Sequence, residues 1–417
     1  MNSKTEDTRA MWTMIIAAAT IMVVTMGIRQ VTGLFVSPIN TSTQLGIVKI
    51  SLAMAVAQFM WGASQPIFGA FADKYGATPV IIFGALLLGV GTAATPFVHT
   101  EWGLMLTLGI LSACGAGAGS FSILIGGTAQ RLPADKRGFA AGFINAGGSF
   151  GQFVFAPLTQ AMISAFGWVS AMLALAATTV VSVPLAWVLR RPKTVAATTP
   201  ASSAPGIAAA TTDMGLRRQL AVALRDRSYL YLHAGFFTCG FHIAFLITHL
   251  PGEVALCNLP ASVSATAIAV IGLFNIAGSL IAGSLTSKYR MKNMLALIYA
   301  ARGVIILLYL LAPKTTWTFY IFAAALGITW LATIPPTAGI VGKLFGMRYM
   351  GTLFGLTLLS HQIGGFFGAY LGGLTIAHTG NYTWMWYADI ALAFFAALVN
   401  LPIREAKVVP RSAPRPA

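Results

Sequence analysis

The chain has 417 residues, 57% hydrophobic and only 9% charged, with a mean hydropathy of +0.78. A soluble domain carries about 25% charged residues, so this composition excludes a protein whose surface mostly faces water. The net charge of +16 raises nucleic acid as a partner only if the charge is not explained by topology, and its placement, described below, explains it that way.

The first apolar run begins at Met11 and continues past Phe35 with no small-residue cleavage site, so it reads as a membrane span rather than a removable signal. Eleven further runs follow, each near the roughly 20 residues that a bilayer requires. The spans are expected at 11–37, 47–72, 79–98, 102–130, 137–166, 168–189, 228–250, 261–287, 292–312, 316–342, 348–378 and 382–402. Most connections are short and rich in charge or turn residues, such as Asp73-Lys74-Tyr75-Gly76. The exception is 190–227, whose Thr, Ala, Ser and Pro content is that of a linker and whose end, Gly215 to Arg227, reads as a basic amphipathic surface helix. The organisation is therefore a ten-residue N-terminus, a six-helix bundle over 11–189, the linker 190–227, a second bundle over 228–403 and a tail over 404–417.

With the N-terminus inside, all Lys and Arg residues but Arg29, Lys49, Arg302 and Lys314 fall in inside segments. By the positive-inside rule both termini are cytoplasmic. The basic balance is topology, and no nucleic-acid partner is expected. Three cysteines, Cys114, Cys239 and Cys257, form no metal-ligand spacing and no disulfide framework, and no cofactor or metal is expected. The halves echo each other: Gly69-Ala-Phe-Ala-Asp-Lys-Tyr-Gly closes the second span and Gly283-Ser-Leu-Thr-Ser-Lys-Tyr-Arg the eighth. Repeated units of this kind let one half rock against the other. The fold class is all-α, twelve transmembrane helices in two six-helix pseudo-repeats.

Gly69-x-x-x-Asp73-Lys74-x-Gly76 resembles the signature loop between spans two and three of the major facilitator superfamily. The resemblance implies a latch on the cytoplasmic side, with Asp73 as its acid and Lys74 and Arg137 as nearby bases; Ser287 stands at the matching position of the second half. Lys136-Arg137-Gly-Phe-Ala-Ala-Gly-Phe-Ile-Asn-Ala-Gly-Gly-Ser-Phe-Gly, Gly27-Ile-Arg-Gln-Val-Thr-Gly-Leu-Phe, the Phe236 to Pro251 stretch and Ser360-His-Gln-Ile-Gly-Gly-Phe-Phe-Gly-Ala are similar to the bacterial branch of the monocarboxylate-porter-like group. That resemblance implies a secondary transporter of the bacterial inner membrane, lodged in lipid and working as a monomer, a uniporter or proton-coupled symporter that moves a small organic anion, monocarboxylate-like, by alternating access. Span eight, however, lacks the arginine that several porters of that group use to hold a carboxylate. Export of a drug-like amphiphile is the alternative, against which stands the lack of an arginine in span four and of a Gly-Pro pair in span five. The motifs of membrane-embedded enzymes and of ATP-binding loops are also missing.

An ionisable group inside a span is costly, about 2.5–3.5 kcal/mol on insertion scales, so each marks a candidate. Arg29, with Gln30 beside it, either clamps a substrate carboxylate bidentately or snorkels to the outer headgroups. Arg302 and Asp389 suit structural ion pairing or carbonyl capping better than substrate contact. In span seven His242, Phe245 and His249 share one helical face, and His242 is expected at the cavity, where imidazole can relay protons. His361 and Gln362 in span eleven are candidates of the same kind. Asn145, Ser149 and Gln152 in span five and Asn275 in span eight either orient substrate or bond between helices. Trp61 and Trp330 are expected to wall the site. Pro335-Pro336 breaks span ten, freeing carbonyls that need protein or a wet cavity.

Overall fold

The computed structural model describes residues 2–129, 131–132, 134–190, 215–346 and 349–406, and every regular element among them is helical. Ten segments are long and apolar enough to cross a bilayer. One of them, Ala140–Val188, is two spans joined at Gly167, where φ of +80° turns the chain without a loop. A twelfth, Met350–Thr379, is less apolar because His361, Gln362 and a series of glycines interrupt it.

The spans are α1 (Asn2–Gln30, extended by Thr32–Phe35 and Val36–Thr43), α2 (Ile47–Tyr75), α3 (Ala77–Ala94), α4 (101–129), α5 (134–166) and α6 (168–188). After the linker come α7 (Arg227–Leu256), α8 (Ala261–Leu285), α9 (Met291–Leu311), α10 (Thr316–Thr329 and Ile334–Phe345), α11 (Met350–Thr379) and α12 (Thr383–Asn400). A short helix forms over Gly215–Ala223, ending before the expected Arg227 because Asp226 caps the start of α7, whereas 191–214 of the linker lies outside the described residues. Below, the terminal face is the end where α1 begins and α12 ends, and the distal face is the opposite one.

Two local departures from the sequence reading matter for the site. Span seven runs on to Leu256, through Pro251, and brings Glu253 into the protein. Span four winds wider over Met105–Ser112, with one extra residue per turn, a geometry that tends to occur at functional positions. In α10 the helix stops at Thr329 and restarts at Ile334, so Pro335 and Pro336 occupy its first turn, where a missing N–H costs nothing.

The pseudo-repeat is visible in the pairing. Helix α1 lies along α5 as α7 lies along α11, and α2 along α4 as α8 along α10. Glycine makes the first two pairs close: a Cβ at Gly147 or Gly151 would strike the carbonyls of Ala19 or Val23, and one at Gly364 or Gly368 those of Phe237 or Phe241. Lipid offers no hydrophobic drive between helices, so this backbone approach supplies the packing.

Between the bundles, α2 meets α11 and α5 meets α8. The contacts are confined to the distal half and the middle. There Gly373 faces Ser51, Gly62 faces Gln362, Gly272 faces Ser149 and Phe153, and Gly33 faces the Ile247 carbonyl. Toward the terminal face the same helices part: Gly69, Gly142, Gly283 and Gly355 have nothing within 4 Å. The glycines that pack across the two bundles thus lie in the distal half and the middle, and those four near the terminal face stand clear of any neighbour.

Candidate functional site

A cavity of about 30 Å³ lies among α1, α2, α3 and α4, lined by Arg29, Gln58, Met54, Leu88, Leu108 and Ser112, with Thr248 of α7 closing it from the other bundle. That volume accommodates one or two water molecules. Its polar wall is set by Arg29, which follows the last regular turns of α1 before the chain tightens at Thr32–Phe35. The guanidinium donates to Gln58 Oε1 and lies 4.0 Å above the Trp61 ring. Both partners are neutral.

No described carboxylate reaches it, for each is engaged elsewhere. Glu101 pairs with Lys49, Asp226 with Arg404, Asp389 with His242 and Glu405 with Lys343. Glu253 accepts from Tyr309 Oη at 2.7 Å. The guanidinium is half-buried, held by an amide and a ring, with no counter-charge among the described carboxylates, and such a group can accept an anion. The opposite wall, Met54, Leu88, Leu108, Ala113 and Ala116, is apolar.

The remaining expected residues fall into three groups. Gln30, Ser149, Gln152 and Asn275 form bonds at the bundle interface: Gln30 Nε2 donates to Gln152 Oε1 (3.3 Å), Gln152 Nε2 to the Ile268 carbonyl (3.1 Å) and Asn275 Nδ2 to Ser149 Oγ (2.8 Å). Asn145, one turn nearer the terminal face on α5, is half-buried. Gln362 is buried against Gly62, and His361 beside it stacks within 5.0 Å of Phe236.

The third group departs from the sequence reading. The face of α7 bearing His242, Phe245 and His249 turns away from the cavity and into its own bundle. His242 Nδ1 lies 2.5 Å from Asp389 Oδ2 on α12, both side chains at most 1% exposed. Phe245 packs edge-on against Trp386, and His249 Nε2 donates to the Ala369 carbonyl at 2.7 Å. Trp330 is likewise internal, its ring 6.0 Å from that of His242, whereas Trp61 lies beneath the Arg29 guanidinium. The physical reason is that α7 is buried on nearly every side from Thr238 to Leu250, so helical periodicity identifies a shared face without saying which neighbour it meets.

Arg302 is fully buried and caps the broken helix: Nη2 donates to the Thr329 and Trp330 carbonyls at 2.6 and 3.2 Å, and Nη1 approaches Cys239 Sγ at 3.5 Å. At the terminal face Gly76, φ +91°, ends α2 and begins α3, and Lys74 Nζ lies 5.1 Å from the Tyr75 ring centre. The Asp73 and Arg137 side chains lie outside the described residues. In the second half Ser287 Oγ bonds only to the Ser284 carbonyl among the bonds seen, while Glu405 receives the Lys292 N–H at the start of α9 and pairs with Lys343 at 2.9 Å. Sequence reasoning missed Glu253 and Glu405. An acid two residues beyond Pro251, in a run that stays apolar on both sides, was the available signal for the first.

Comparison with known proteins places this geometry. The model of the Major Facilitator Superfamily matches residues 17–369. Monocarboxylate transporter 13 of Rattus norvegicus is 28% identical over 84% of this chain and 78% of its own. The oxalate:formate antiporter of Oxalobacter formigenes is 22% identical over 89% and 86%. Among solved structures, that of a D-xylose-proton symporter superposes with a TM-score of 0.72 at 14% identity, covering 94% of this chain and 97% of the other.

Proposed function

The chain belongs to the Major Facilitator Superfamily, which makes it a membrane transporter rather than an enzyme, and on that premise we propose that it carries a short monocarboxylate together with a proton. Two bundles, 11–189 and 228–403, alternate about the cavity. The observation that carries the reading is Arg29: the one cation on the cavity wall among the described residues, unpaired with any described carboxylate, opposite an apolar wall. One guanidinium matches one carboxylate, and the Leu88 and Leu108 side suits a short hydrocarbon tail. Two relatives whose names specify carboxylates support the same class.

The surplus of Lys and Arg at the terminal face supports a cytoplasmic position for that face, and we read the membrane as a bacterial inner membrane. The geometry is then inward-open. Each chain contains a whole cavity, so a monomer suffices.

The test is uptake by purified protein in liposomes, using labelled acetate, lactate, pyruvate and oxalate, with and without an inward proton gradient. The expected result is gradient-driven accumulation of a monocarboxylate in preference to oxalate, abolished in R29Q. No uptake of any of the four by folded protein would overturn the reading and favour export of a larger amphiphile.

A further inference from the structure

A second set of ionisable groups lies inside the C-terminal bundle, away from the cavity. His242 and Asp389 share a 2.5 Å contact, yet His242 Nε2 and Asp389 Oδ1 are buried without a partner, as is Arg302 Nε. Three unsatisfied polar atoms in one membrane-embedded cluster are expensive for a purely structural pair. Trp330 on α10 and the charge of Arg302 on α9 face the dyad; around Arg302 lie Cys239 on α7 and Tyr299 on α9, and Cys239 in turn meets Thr333 on α10 and His361 on α11.

The same cluster touches the break in α10. Arg302 holds the Thr329 and Trp330 carbonyls, and Cys239 Sγ lies 3.4 Å from Thr333 Oγ1 at the far side of the break. The next N–H, that of Leu331, donates to Asn275 Oδ1 at 3.0 Å. Asn275 in turn donates to Ser149 of the other bundle. A run of bonds therefore joins Arg302 to the contact between the two halves, and the dyad meets that run through the charge of Arg302 and the ring of Trp330 rather than through a bond of its own.

We infer that the His242–Asp389 dyad is the site that takes up the coupled proton, and that Arg302 and the α10 break transmit its occupancy to the Asn275–Ser149 contact. The inference rests on the proton-coupled reading above. With neutral imidazole, Asp389 and Arg302 balance and the cluster carries no net charge. With the proton bound, imidazolium answers Asp389 directly, and the cluster carries one net positive charge beside the carbonyls that Arg302 caps. The proton belongs to the pair rather than to either residue. The two-state element is the break itself, which both the dyad and the bundle contact bias.

The first test needs no substrate. Trp330 lies 6.0 Å from His242, so intrinsic fluorescence of the purified protein across pH 5–9 reports a charge change there. The expected result is a titration step in the wild type that is lost in H242Q, D389N and W330F and retained in R29Q. A wild type without the step, or H242Q that keeps it, overturns the assignment. If D389N does not fold, H242Q decides alone, and R302K supplies a second variant expected to shift the midpoint. In liposomes, H242Q is expected to lose gradient-driven accumulation at least tenfold more than it loses anion exchange at equal pH. Equal loss of both in folded protein also overturns the assignment. Should the wild type move no monocarboxylate, the substrate reading fails while the fluorescence titration still decides the dyad.

Discussion

The two bundles treat charge in opposite ways. In the C-terminal half Arg302, Asp389 and His242 are closed in by α7, α9, α10 and α12 and bonded to one another or to freed carbonyls. In the N-terminal half Arg29 stands on a cavity wall, answered only by an amide and an indole. Both arrangements incur the cost of bringing a cation into a span. One recovers it within the protein, the other leaves it to be recovered by something that binds. On the reading proposed above, the same residue type caps a broken helix in one half and recognises an anion in the other, and what separates the two is the number of protein acceptors within reach.

That contrast is broken most directly by R302M. It leaves the buried Thr329 and Trp330 carbonyls uncapped, so a loss of about 2–5 kcal/mol is expected at roughly 1–3 kcal/mol per unsatisfied group, seen as a lower thermal midpoint of the purified protein. An unchanged midpoint would mean that Arg302 is as unsatisfied as Arg29. R29M tests the other half: uptake of the cognate anion should fall about 100-fold, in keeping with the loss of charge-assisted bonds, while the thermal midpoint holds or rises. Parallel loss of stability and transport would place Arg29 with the structural charges.

A smaller effect sharpens the picture of the interface. G272V places methyl groups against Ser149 and Phe153 and should cost roughly 1–3 kcal/mol by overpacking, whereas G142V, facing open space, should leave the melting curve unchanged. Similar shifts in both variants would contradict a molecule sealed on one side only. The least effect is expected from E405Q. Its Lys343 partner is half-exposed, and such a pair contributes about 0–1 kcal/mol; a larger drop in midpoint would show that the segment after α12 braces α9 and α10 as a unit.

Much of this was legible in the sequence because lipid imposes simple rules. Twelve spans, the duplicated halves and the candidacy of Arg29 follow from hydropathy, repeat and the cost of burying a guanidinium. The α10 break was signalled by Pro335-Pro336, and a mid-span arginine was the natural donor for its carbonyls. Partner choice was not legible. His242 and Asp389 are far apart in the chain, and nothing in either helix alone says that they meet. The amides of α5 and α8 show the same limit: their spacing marked an interior face, but only the packed structure shows Ser149 and Gln152 bonded to Asn275 and the Ile268 carbonyl across the interface. Residues that act through the backbone, such as Gly33 against Ile247, carry no chemical signature at all.

Those interface glycines have a genetic consequence. Gly33, Gly62, Gly272 and Gly373 are positions where any side chain collides with the opposing half, and Gly69, Gly142, Gly283 and Gly355 are positions where, in this geometry, almost any would fit. A library of substitutions scored for folding alone should therefore tolerate the second set and reject the first. Scored for growth that requires turnover, it should reject both, because the helices that stand apart here must come together before the cycle can return. The gap between the two maps would locate, codon by codon, the surface of a conformation that has not been seen.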